Sequence, residues 1–88
     1  MTDARPEPAM VAQALCEYLR AHLVTEGIDV EPETPLGELG IESAALLELL
    51  LFLERRFGLA VPDDRLTGED LASAGSLARC ACGLAGDA

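Results

Sequence analysis

The sequence predicts an all-α fold: a four-helix bundle with a long first loop and a short third helix. Half of the 88 residues are apolar, yet the aromatics are only Tyr18, Phe52 and Phe57. Leu and Ala dominate the apolar half, and both favour helix over sheet. The most strand-like segment, Leu59-Ala60-Val61, stops at Pro62. At this length the chain is one domain, expected over residues 8–84 with flexible tails at 1–7 and 85–88. Such a chain buries only roughly 60–65% of its unfolded surface, so its core is small.

Helix one is expected over about 8–24. Pro8 suits a first helical turn, where its missing N–H costs nothing. Val11, Leu15, Tyr18 or Leu19, and His22 or Leu23 then recur at helical spacing, with Met10 and Ala14 widening the stripe. Gly27 can take the left-handed conformation that closes a helix. Residues 27–42 form a long connection carrying Pro32, Pro35, Gly37 and Gly40. Ile28, Val30, Leu36, Leu39 and Ile41 are spaced along it and would pin it to the bundle. Long loops of this kind are uncommon in small domains and often functional.

Helix two is expected over Ser43–Phe57. Arg55 and Arg56 in its last turn complement the helix dipole, and Gly58 stands where a left-handed cap belongs. Thr67-x-x-Asp70 approximates a capping box, with Asp for the usual Glu or Gln, so a short helix is expected over 67–72 with Leu66 and Leu71 inward. Ser73 then caps a last helix over about 74–84, with Leu77, Ala78, Ala81 and Leu84 as its apolar residues and Gly83 weakening its end.

Charge and composition exclude several functions. The net charge is −10 and all six basic residues are Arg, against a nucleic-acid footprint and in favour of partners with positive patches. No uninterrupted apolar run reaches the ~18 residues of a membrane span. The N-terminal stretch Met1-Thr2-Asp3-Ala4-Arg5-Pro6 does not read as a signal peptide, so a cytoplasmic monomer is expected. Cys16, Cys80 and Cys82 with the lone His22 match no zinc spacing. No metal site and no catalytic residue are assigned.

Helix two is apolar on too many sides. At ~100° per residue, Leu46, Leu49, Leu50, Leu53 and Phe57 share one core-facing arc. Ala44, Leu47 and Leu51 form a second stripe bordered by Glu48, Glu54 and Arg55, while Phe52 and Ala45 lie on the far side. A small bundle cannot enclose every side of one helix, so the second stripe is expected to be exposed and to dock a partner. The alternative is that the third helix or the long loop covers it. Ser43 heads that stripe. Free N–H groups and the dipole at a helix start stabilise an anion, Gly40 permits a tight approach and Ala44 leaves room. With no Lys in the chain and no base beside it in sequence, Ser43 reads as a target of another enzyme and not as a nucleophile. An ordinary N-cap serine is the other reading.

At these residues the chain resembles the acyl and peptidyl carrier protein family. Members show a Gly, an apolar residue, an Asp and a Ser, then a Leu- and Glu-rich helix ending in Phe-Gly. Here this reads Gly40-Ile41-Glu42-Ser43, then Glu48-Leu49 and Phe52-Leu53-Glu54-Arg55-Arg56-Phe57-Gly58. The likeness continues through Val61-Pro62-Asp63 and Ser73 to Leu77, reaches back to Thr34-Pro35-Leu36, and covers about residues 10–84. It implies a right-handed four-helix bundle. It also implies that Ser43 receives 4′-phosphopantetheine from coenzyme A through a phosphopantetheinyl transferase.

The arm's thiol would then carry an acyl or aminoacyl thioester. A ligase, adenylating enzyme or acyltransferase would load it, and a downstream synthase or transferase would accept it. Glu42, Ala44, Leu47, Glu48, Leu51, Glu54 and Arg55 would bind those partners. Two positions depart from the family pattern: Glu42 replaces the usual Asp and Ala44 the common Leu or Met. Arg55 and Arg56 stand where fatty-acid carriers tend to be acidic, which implies dedicated partners in a polyketide, nonribosomal peptide or related pathway. Glu42 also suits an unmodified helical adaptor of carrier-like fold.

Overall fold

The computed structural model describes residues 7–41, 43–62 and 66–87, with backbone alone for Ser43 and for 84–87. Among them it is all-helical. Helix α1 spans Pro8–Tyr18 and runs on through a π-helical turn, Leu19–Leu23. A 3₁₀ turn covers Leu36–Leu39, α2 spans Ser43–Phe57 and α3 spans Ala74–Asp87. Leu59-Ala60-Val61 forms no strand, and an isolated bridge joins Pro35 to Ser73.

Helix α1 begins as expected, with Pro8 in its first turn and the Val11 N–H donating to the Glu7 carbonyl at 3.0 Å. Its core face differs from the predicted stripe. Val11, Ala12, Leu15, Cys16 and Leu19 are buried, whereas Met10 and His22 are exposed. Packing against α3 selects this arc, and Met10 lies beside it. The π-helical turn closes with the Val24 N–H on the Leu19 carbonyl at 2.9 Å. Gly27 does not cap this helix. It takes its positive φ in a separate turn closed by the Ile28 N–H on the Thr25 carbonyl.

The long loop is fastened at several points. The Arg20 guanidinium donates to the Val30 carbonyl at 2.8 Å, and Val30, Leu36 and Ile41 are buried. Ile28, expected among the pins, is exposed. The Leu36 N–H donates to the Ala72 carbonyl and the Gly75 N–H to the Pro32 carbonyl, each at 2.8 Å. A Cβ on Gly75 would lie 3.0 Å from the Pro32 carbonyl oxygen, so a side chain there would push the loop off α3.

The expected short third helix over 67–72 is a pair of turns. The capping box itself forms, with the Thr67 N–H donating to Asp70 Oδ2 at 3.0 Å and the Asp70 N–H to Thr67 Oγ1 at 3.2 Å. Only the Leu71 N–H on the Thr67 carbonyl and the Ala72 N–H on the Glu69 carbonyl follow. A helix needs several fixed residues before each new bond adds net stability. Gly68 raises that cost, and Ser73 already begins α3. Leu66 and Leu71 nonetheless pack against the core.

Ser73 caps α3 as predicted, its Oγ accepting from the Ser76 N–H at 3.2 Å. Leu77, Ala78 and Ala81 are buried. The helix passes the predicted end at 84 and reaches Asp87. Gly83 costs a helix only about 1 kcal/mol, and Ala85 after it is a strong helix former. The Leu84 side chain, residues 1–6 and Ala88 fall outside the described parts.

Candidate functional site

Helix α2 has the predicted bounds because both ends carry strong local signals. Before it, Gly40 takes φ 76°, which only glycine adopts without strain, and closes the 3₁₀ turn. The Ile41 N–H returns to the Leu36 carbonyl at 3.1 Å and buries Ile41. Ser43 is the first residue of α2. After it, Gly58 takes φ 71° and donates to the Glu54 carbonyl at 2.9 Å, while Leu59 turns into the core. Arg56 lies over the Phe57 ring at 5.0 Å.

The two arcs of α2 separate as the sequence implies. Leu49 and Leu53 are 0% exposed, and Leu46, Leu50 and Phe57 pack partly buried against the same core. Leu47 is 55% and Leu51 48% exposed, and Ala44, Glu48, Glu54 and Arg55 are exposed with them. The stripe that Ser43 heads is therefore not covered by the turns at 67–72 or by the long loop. Glu42, expected to complete this surface, lies outside the described residues.

A cleft that sequence reasoning missed flanks this stripe. It has a volume of about 310 Å³ and is lined by Tyr18 of α1 with Glu48, Leu51, Phe52 and Arg55 of α2. Phe52, on the far side of α2, touches α1: its ring stacks on Tyr18 at 4.5 Å between centroids. Tyr18 also contacts His22 at 4.8 Å, and its hydroxyl donates to Glu48 Oε2 at 3.3 Å. Burial, then the Glu48 charge and hydrogen bond, push the phenol above its ordinary pKa, with Arg55 opposing. Helical periodicity placed Tyr18 and Phe52 on their own helices but held no signal that the two rings would meet.

The other nucleophilic side chains are placed differently. Ser73 is buried, and its Oγ pairs with that of Ser76 at 3.1 Å. Cys16 and Cys82 are buried, and burial raises both thiols above their ordinary pKa. None of the three cysteines is in a disulfide. No metal-holding cluster of acidic, His or Cys side chains occurs among the described residues. Nor is any helix among the described residues long and apolar enough to cross a membrane.

Comparison with known proteins places this geometry. The family described as the phosphopantetheine attachment site matches residues 11–81. Among solved structures, a similar fold occurs in a crystal structure of Bradyrhizobium japonicum glycine:[carrier protein] ligase complexed with glycylated carrier protein. The TM-score is 0.64 over 83% of this chain and 96% of that one, at 23% identity. A search of curated protein sequences finds no significant match. The family match spans most of the chain, from α1 into α3, so the chain belongs to the phosphopantetheine attachment site family: it is a non-catalytic carrier protein of the acyl and peptidyl carrier kind, whose 4′-phosphopantetheine is held covalently on a serine.

Proposed function

We propose that Ser43 bears the arm and that the chain acts as a carrier, cytoplasmic and monomeric, in a polyketide, nonribosomal peptide or related pathway. The observation that carries the assignment is a contrast among the chain's serines, Ser43, Ser73 and Ser76. Ser73 is buried and caps α3, and Ser76 is half-buried and bonded to it. Ser43 opens α2, with exposed Ala44 and Leu47 beside it. The unpaired N–H groups and dipole of a first helical turn suit the arm's phosphodiester anion.

When bound, the arm supplies a thiol on which an acyl or aminoacyl group rides as a thioester. The protein's own part is mechanical. It keeps the group tethered at high effective concentration and presents it beside a recognition surface. Ala44, Leu47 and Leu51 supply the apolar contact, while Glu42, Glu48, Glu54 and Arg55 select partners by charge. Those partners are a phosphopantetheinyl transferase, a loading enzyme and an accepting synthase or transferase. The similar carrier was solved with a glycine ligase, which supports a ligase as the loading enzyme.

Recovery of the protein from its native cells tests this reading. Mass spectrometry should find the arm bearing an acyl or aminoacyl group that hydroxylamine releases. Protein recovered without the arm under every growth condition would favour the unmodified adaptor.

A further inference from the structure

Tyr18 belongs to α1, not to the helix that carries the proposed docking surface, yet its hydroxyl reaches that surface. It donates to Glu48 Oε2 at 3.3 Å. This bond sets Glu48 apart from the other charges on the rim. Among the described residues, no side-chain hydrogen bond or ion pair holds Glu54 or Arg55. Glu48 stands three positions before Leu51, so the two are neighbours on the helix surface. Both are exposed. A partner that covers Leu51 therefore meets Glu48 at the edge of the contact.

The tyrosine can hold the carboxylate because its own ring is held. It stacks on Phe52 at 4.5 Å and 27°, and the His22 ring lies 4.8 Å away. Phe57 meets Phe52 edge-on at 6.2 Å, so the aromatic contacts run from α1 to the end of α2. Burial and the Glu48 charge raise the phenol above its ordinary pKa of 10.0, so at neutral pH it stays a donor. The bond itself adds little to folding. Both groups lie where water offers equivalent partners, and only the difference counts. Its larger effect is on binding. A free glutamate loses side-chain entropy when a partner fixes it, and a bond already made within the protein removes part of that cost. The second oxygen, Oε1, remains to accept from a cation.

We propose that Tyr18 is a positioning residue of the docking surface: its hydroxyl presets the Glu48 carboxylate for a basic side chain of the transferase that modifies Ser43. The inference rests on Ser43 as the attachment point and on the outer arc as the docking face. The recognition surface is then not the property of α2 alone. A residue of α1 tunes it through Glu48, without itself pairing with the partner's charge.

Steady-state kinetics of a broad-specificity transferase with coenzyme A and the whole chain test this, with the arm located by fragment mass spectrometry. Tyr18→Phe keeps the ring and removes the hydroxyl. Its melting temperature should stay within a few degrees of the parent's. Its KM should rise about three- to tenfold, the cost of fixing one long side chain, while kcat holds, as when uniform binding is lost. Glu48→Ala should raise KM at least as much, and adding Tyr18→Phe to it should change nothing further. A Tyr18→Phe or Glu48→Ala chain that is modified on Ser43 with the parent's KM overturns the positioning role and leaves the attachment intact. So does a further rise in KM when the two changes are combined, because the hydroxyl would then act elsewhere. An arm found on another residue, or none on the parent chain, overturns the attachment and this inference with it.

Discussion

Leu47 and Leu49 stand two residues apart on α2, yet one faces water and the other the core. Leu51 and Leu53 repeat the pattern one turn later. The same residue type on the same helix thus serves two ends. The inner leucines seat α2 in the core that it shares with α1 and α3, and the outer ones form an apolar strip on a strongly acidic protein. Burying the outer pair too would add stability at about 25 cal/mol per Å². The fold leaves them exposed, on the face proposed above for docking.

The largest expected effect lies on the inner arc. Leu53→Ala or Leu49→Ala should cost about 2–5 kcal/mol in urea unfolding, since each removes a fully buried side chain from a small core. A cost under 1 kcal/mol at both sites would break the distinction between the arcs. Next comes the contact that fixes the approach to α2. Gly75→Ala should destabilise by about 1–3 kcal/mol through overpacking on the Pro32 carbonyl, despite a helix propensity gain of about 1 kcal/mol. Hydrogen exchange at the Leu36 N–H should quicken with it. Gly83→Ala, with open space around the new methyl, should instead stabilise by about 0.5–1 kcal/mol.

The core side also predicts a pH dependence. Burial raises the Cys16 and Cys82 thiols above their ordinary value of 9.0. The folded chain therefore keeps protons that the unfolded chain releases. This contribution is complete below about pH 9 and is lost as pH rises through the folded values. The Cys16→Ala/Cys82→Ala double variant should show a flatter stability profile above pH 9 in equilibrium unfolding. The smallest effect on stability belongs to the outer arc. Leu47→Glu or Leu51→Glu should change unfolding free energy by no more than about 0.5 kcal/mol, while transfer of the carried group to a partner enzyme falls at least tenfold. A large loss of stability would show these leucines to be core.

Much of this was legible in the sequence because the signals are local. The bounds of α2 follow from Gly40, Arg55, Arg56 and Gly58, and its two arcs follow from counting around the helix. Ser73 announced α3 through its bond to the Ser76 N–H. What stayed hidden depends on contacts between distant segments. The Tyr18–Phe52 stack and its cleft need α1 and α2 set side by side. The requirement for Gly75 exists only because the Pro32 carbonyl lies against α3. The segment after Thr67 carried a true capping signal, but the few residues from Thr67 to Ser73, with Gly68 among them, are too short a run to propagate it. Met10 shows the limit of periodicity: spacing offered a wide stripe, and packing against α3 used one side of it.

The central claim is that the residue at the head of the outer arc is the one that receives the arm. Incubation with coenzyme A and a broad-specificity phosphopantetheinyl transferase, followed by intact and fragment mass spectrometry, tests it most directly. The parent chain and Ser76→Ala should each gain one arm, located on Ser43, and Ser43→Ala should gain none. An arm on Ser43→Ala, or a parent chain left unmodified by several transferases, would contradict the account.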